Sequence, residues 1–129
     1  MLKRKIEKKI YDWIRNDERA LLLYGVRQAG KTYIIRHCLE SEGCSYVEFN
    51  LIREPDIVAI LKNATDVDDL ILKLSLYSDK KIIPGETFLF FDEIQKYKEI
   101  VTKIKFLVED RRYRYILSGS LLGVEIVNL

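Results

Sequence analysis

The octapeptide Gly25-Val26-Arg27-Gln28-Ala29-Gly30-Lys31-Thr32 constrains this chain more than any other feature. It fits the spacing G-x-x-x-x-G-K-S/T, and a continuous apolar run over residues 20–24 stands directly before it. A short apolar run closed by glycine predicts a strand buried on both faces of a parallel sheet. Behind the loop, residues 31–42 read as a helix, and strand, loop, helix is the order such a phosphate-binding loop requires. Gly25 and Gly30 let backbone N–H groups approach an anion closely and make unusual φ available. The helix N-terminus adds partial positive charge. Lys31 supplies a mobile cation for β- and γ-phosphates, and the Thr32 hydroxyl an oxygen donor for Mg2+. Gly25, Val26, Arg27, Gln28, Ala29, Gly30, Lys31, Thr32 and Tyr33 are therefore the expected nucleotide contacts. A loop that merely caps the helix is the plain structural alternative.

Further elements follow from periodicity. Leu2, Ile6, Ile10, Trp13 and Ile14 recur at helical spacing and predict an amphipathic helix over residues 2–15. A second strand is expected over 45–50, completing a βαβ unit. Pro55 suits the first turn of a short helix through Leu61, and another follows Thr65 or Asp66 as N-cap. After the Pro84-Gly85 turn, residues 87–91 form an apolar strand ending at Asp92 and Glu93. The stripe from Ile100 to Val108 predicts a helix, and residues 113–117 a fourth strand stopping at Ser118, Gly119 and Ser120. This alternation predicts an α/β sandwich whose sheet is mainly parallel.

The acidic pair is the second chemical signal. Ligands bind at the C-terminal edge of a parallel sheet. There Asp92 would hold Mg2+, and Glu93, facing differently, would polarise the water that attacks a γ-phosphate. Acidic residues after a strand also serve as ordinary helix caps. Ser118 and Ser120 are candidates for sensing the γ-phosphate or water, against a simple strand-ending turn. His37, the sole histidine, has no nucleophile or ligand partner in sequence and reads as a helix-surface or packing residue. Tyr113 and Tyr115 among Arg111, Arg112 and Arg114 resemble a nucleic-acid cluster, but strand alternation explains the tyrosines as well. Lys3, Arg4, Lys5, Lys8 and Lys9 read as a solvated helix face before they read as a polyanion site. With 22 Lys plus Arg against 20 Asp plus Glu, the net charge of +2 implies no polyanionic partner. Cys38 and Cys44 lack zinc-ligand spacing and read as reduced thiols. No apolar run approaches the roughly 20 residues that span a bilayer, so the expected location is cytoplasmic, with no membrane contact.

The chain resembles the AAA-like ATPases of bacteria and archaea that pair an N-terminal ATPase with a C-terminal domain of unknown function. The resemblance rests on the leading basic helix, the phosphate loop with its internal Arg27-Gln28, residues 85–95 reading GETFLFFDEIQ, and Leu117-Ser118-Gly119-Ser120. It implies a three-layer P-loop NTPase fold of the ASCE type, with the fourth strand between the first and third. It also implies ATP as nucleotide, Glu93 as catalytic glutamate, and Ser118 or Ser120 as sensor. Members of that family continue past the sensor strand. Residues 1–129 are thus expected to be an incomplete ATPase domain with its nucleotide-binding core over 20–120, any arginine finger coming from later sequence or a neighbouring subunit. A homo-oligomer or protein partner is compatible with this. Val124, Ile126 and Leu129 lie too close to Ser120 for a helical crossover, so the first strand is expected to expose its outer edge. The competing readings are three. A GTPase lacks its Asn-Lys-x-Asp motif here, a small-molecule kinase lacks a visible substrate lid, and a nucleotide-gated interaction switch would hydrolyse little.

Overall fold

A computed structural model describes residues 2–25, 30–120 and 125–128, with side chains at 3–25 and 30–120. The elements are α1 (Leu2–Asn16), β1 (Leu21–Gly25), α2 (Lys31–Ser41), β2 (Tyr46–Asn50), α3 (Pro55–Asn63), α4 (Val67–Tyr77) and β3 (Phe88–Asp92). A single 3-10 turn (Ile94–Tyr97), α5 (Ile100–Asp110), β4 (Arg114–Ser120) and β5 (Glu125–Asn128) complete them. Strand order is β2-β3-β4-β1-β5, with β1 to β4 mutually parallel, so β4 lies between β3 and β1 as expected.

Period-two alternation divides the core into two layers. Leu21 and Leu23 of β1, Phe88 and Phe90 of β3 and Ile116 of β4 meet α1 and α2 through Ile6, Ile10, Trp13, Ile35 and Leu39. Leu22, Leu89, Phe91, Tyr115 and Leu117 turn the other way, towards Ile57, Leu61, Leu74 and Ile104 on α3, α4 and α5. Every β3 residue is buried, which is why that strand reads as an unbroken apolar run. Pro55 occupies the first turn of α3. Of the two candidate caps for α4, Asp66 performs the role, its Oδ1 accepting from Asp69 N at 2.8 Å.

Two expectations need correction. The fourth strand does not stop at Ser118 but runs through Gly119 to Ser120, because these residues pair with Leu23, Tyr24 and Gly25 of β1. Nor does β1 expose its outer edge: β5 pairs with it antiparallel, Leu21 opposite Asn128 and Tyr24 opposite Glu125. The crossover argument applies only to a parallel return; an antiparallel strand needs just the four positions that separate Ser120 from Glu125. Val124 and Leu129, two of the three apolar positions behind that expectation, lie outside the described residues.

In the arginine–tyrosine cluster at 111–115 only Arg111 is exposed. Tyr113 and Tyr115 are buried. Arg112 pairs with Asp110 and Asp68. The Arg114 guanidinium stacks 4.7 Å from the Trp13 ring and 5.0 Å from that of Phe88 while donating to the carbonyls of Trp13, Ile14 and Asp17. It thus satisfies the orphan acceptors at the end of α1. Lys3, Arg4, Lys5, Lys8 and Lys9 are exposed, and Lys8 pairs with Asp12.

Candidate functional site

Strand register sets the site. Gly25 lies opposite Ser120, Phe91 opposite Leu117 and Asn50 opposite Asp92, so the C-terminal ends of all four parallel strands reach one edge. The chain leaves that edge after β1 and re-enters regular structure at Gly30, whose φ of 70° lies in the left-handed region that a side chain disfavours. Of the sequence-predicted loop contacts, Val26, Arg27, Gln28 and Ala29 lie outside the described residues. Lys31 is buried, and its ammonium donates to the Gly25 carbonyl at 3.2 Å, at the end of β1. Tyr33, the last predicted contact, is 62% exposed and stacks on His37 with ring centroids 6.1 Å apart.

Asp92 is the hub of the edge. It is 3% exposed. Its Oδ2 accepts from Thr32 Oγ1 at 2.7 Å, and its Oδ1 from Ser118 Oγ at 2.7 Å and from Glu93 N at 2.8 Å. A buried carboxylate would be costly unpaired; three donors satisfy it. Ser118 is fully buried and committed to Asp92. The Ser120 hydroxyl is buried too, but it has no hydrogen-bond partner among the described residues.

Glu93 departs from the strand with φ 59° and ψ 43°. A non-glycine residue in the left-handed region carries strain of roughly 1–2 kcal/mol. The turn carries its carboxylate out of the β3 line, to where Gln95 Nε2 donates to Glu93 Oε2 at 3.1 Å. Gln95 Oε1 in turn accepts from Ser120 N at 3.1 Å. Glu93 and Asp92 line a cavity of about 360 Å³ with Thr32, Arg36, Asn50, Ile52 and Arg53. Arg36 is held by two 2.6 Å bonds to Glu48, whose carboxylate pushes the guanidinium above its ordinary value and keeps it cationic. Asn50 Oδ1 accepts from Ile52 N and Arg53 N, which shapes the loop bearing Arg53.

The predicted residues Lys31, Thr32, Asp92, Glu93 and Ser118 therefore meet at one edge. Sequence reasoning assigned no role to Gln95, Asn50 or Arg53. Gln95 stood within the quoted GETFLFFDEIQ segment, but its two partners lie on different elements and no spacing announces them.

The sequence profile described as an AAA domain matches residues 17–125, a span holding every one of these side chains. The chain belongs to the AAA domain family. Membership makes it a domain of the nucleotide-binding, ATPase type. Among solved structures, this AAA domain is similar to PCH-2 of C. elegans, with 19% identity and a TM-score of 0.46. That match covers 93% of this chain and 35% of the other, so the AAA domain spans about a third of the protein it resembles. No curated protein matches it. None of the described helices is long and apolar enough to cross a membrane.

Proposed function

We propose that this AAA domain binds MgATP and hydrolyses it, with Lys31, Thr32, Asp92 and Glu93 carrying the chemistry. The observation behind the reading is the convergence on Asp92. A phosphate-loop hydroxyl and a β4 hydroxyl each lie 2.7 Å from one buried carboxylate at the edge where β1 opens into the loop.

The donor set suits magnesium. Thr32 and Asp92 offer hard oxygens side by side, and a few such ligands with water and phosphate are what Mg2+ takes. Among the described residues no cluster of three His, Cys, Asp or Glu could build an all-protein cage for another metal. When bound, the ion would screen the charge of the β- and γ-phosphates.

Each side chain then has a distinct task. Lys31 exchanges its bond to the Gly25 carbonyl for phosphate oxygens. Ser118 keeps Asp92 in one orientation, so that the carboxylate and the Thr32 hydroxyl address the same point. Glu93 accepts the proton of an attacking water through its carboxylate. Of the two serines considered as sensors, Ser118 is already bonded to Asp92, whereas the buried Ser120 hydroxyl has no hydrogen-bond partner among the described residues. What the hydrolysis drives, and whether a second subunit contributes a cation, would be properties of the assembly.

Glu93→Gln tests the reading, because the amide keeps shape but cannot take a proton. We expect MgATP binding within about two-fold of the parent and turnover lowered by about 10²-fold or more. Equal turnover in variant and parent would sink the ATPase assignment and favour a nucleotide-gated switch.

A further inference from the structure

Gln95 is built into the site in a way the ATPase reading does not require. Its side-chain amide spans two elements: one end meets the backbone at the end of β4, and the other meets the carboxylate of Glu93. Only one orientation of the amide satisfies both. Ser120 N–H can only donate and so faces Oε1, while an ionised Glu93 can only accept and so faces the NH2 group. Exchanging the ends would set N–H against N–H and oxygen against carboxylate. The bridge is therefore directional, and it fixes Glu93 relative to the end of β4, whose Ser120 lies twenty-five residues beyond Gln95.

The neighbourhood is shaped for it. A Cβ on Gly119 would fall 2.9 Å from Ile94 Cγ1 and 3.1 Å from Gln95 Oε1, so the turn can approach β4 this closely only over a glycine. Ile94 and Tyr97, on either side of Gln95, are buried and fix the turn. Glu93 itself sits in the left-handed region, which a non-glycine residue seldom adopts. Pinning Oε2 leaves Oε1 with no hydrogen bond from any described residue, at the wall of the cavity that Thr32 and Asp92 share.

We propose that Gln95 is a positioning residue: its amide ties the Glu93 carboxylate to the end of β4, so that the placement of that strand end sets the orientation in which Glu93 acts. The proposal rests on the reading of Glu93 as the group that takes the proton of the attacking water. Ser120 carries the N–H that anchors the bridge, so a ligand that shifts Ser120 shifts Glu93 through one side chain.

Two substitutions in the full chain test this. Gln95→Leu removes both bonds at similar volume. It should lower kcat about ten-fold with KM for MgATP within about two-fold, and should speed exchange of the Ser120 amide proton. Gln95→Glu keeps an acceptor for Ser120 N–H but sets a second carboxylate against Glu93. It should lower kcat about ten-fold with KM for MgATP within about two-fold, while exchange of the Ser120 amide proton stays at the parent's rate. Turnover that depends on Glu93 but ignores both changes would overturn the proposal alone. Turnover no faster in the parent than in Glu93→Gln would overturn the reading of Glu93 and the proposal with it. Should Gln95→Leu fail to fold, the kcat and KM of Gln95→Glu decide.

Discussion

Gly119→Ala puts a number on how tightly the 3-10 turn is pressed to the sheet. The new Cβ would lie 2.9 Å from Ile94 Cγ1, where carbon atoms ordinarily meet at about 3.5–4.0 Å. Gln95 Oε1 at 3.1 Å and Tyr24 Cε1 at 3.3 Å complete the contact. The last two are far ends of longer side chains and can swing, but a displaced Gln95 surrenders its bond from Ser120 N. Ile94 is fully buried and has nowhere to retreat. Gly119 does not have a positive φ, so the penalty is steric and not conformational. Over-packing of this kind costs about 1–3 kcal/mol. Stiffening the unfolded chain returns about 0.4–1 kcal/mol. The net loss should be about 1–2 kcal/mol, which for a chain of this length lowers Tm by about 4–8 °C. Calorimetric melting of parent and variant at equal concentration measures it. A Tm unchanged within about 1 °C would refute the close approach, and with it the geometry that places Gln95 against β4.

Three further outcomes follow from the same structure. Arg111 ends α5 with φ 65°, a conformation glycine adopts freely, so Arg111→Gly should raise the free energy of unfolding by about 0.5–1 kcal/mol in urea titrations. Ser118→Ala removes a buried donor from an ionised carboxylate and should cost about 1.5–3 kcal/mol, while raising the magnesium concentration needed for half-maximal ATP binding. Acid should destabilise the fold through Asp17, Asp69 and Asp110. Hydrogen bonds from Arg19, from the Thr65 backbone and from Arg112, respectively, hold these carboxyls below the ordinary aspartate value. The unfolded chain takes up those protons first. Their contribution is therefore complete above about pH 5 and is lost as pH falls through the folded-state values, so the urea midpoint should be level above about pH 5 and decline below about pH 4.

What could be read in the sequence was local. The motif is legible because its glycines, Lys31 and Thr32 stand within eight consecutive residues, and β3 because burial on both faces makes Phe88–Asp92 uniformly apolar before its carboxylate. The order of β4 between β3 and β1 came with the family resemblance, not from periodicity. Ser118, Gly119 and Ser120 look like a turn because small polar residues usually make one. Here they are the last three residues of a strand, where Ser118 is needed for Asp92 and Gly119 for the turn after β3. Pairing of β5 with β1 was hidden for a similar reason: alternation over so few residues does not state its direction or partner. The Gln95 bridge is a meeting of two elements and leaves no trace in spacing.

The central claim is that Lys31 and the loop before it bind the phosphates of ATP. Calorimetric titration of MgATP into the parent and into Lys31→Ala, with folding of both verified by melting, tests it most directly. The account predicts a single saturable site in the parent and no measurable binding in the variant. Equal affinity in a folded Lys31→Ala protein would contradict it.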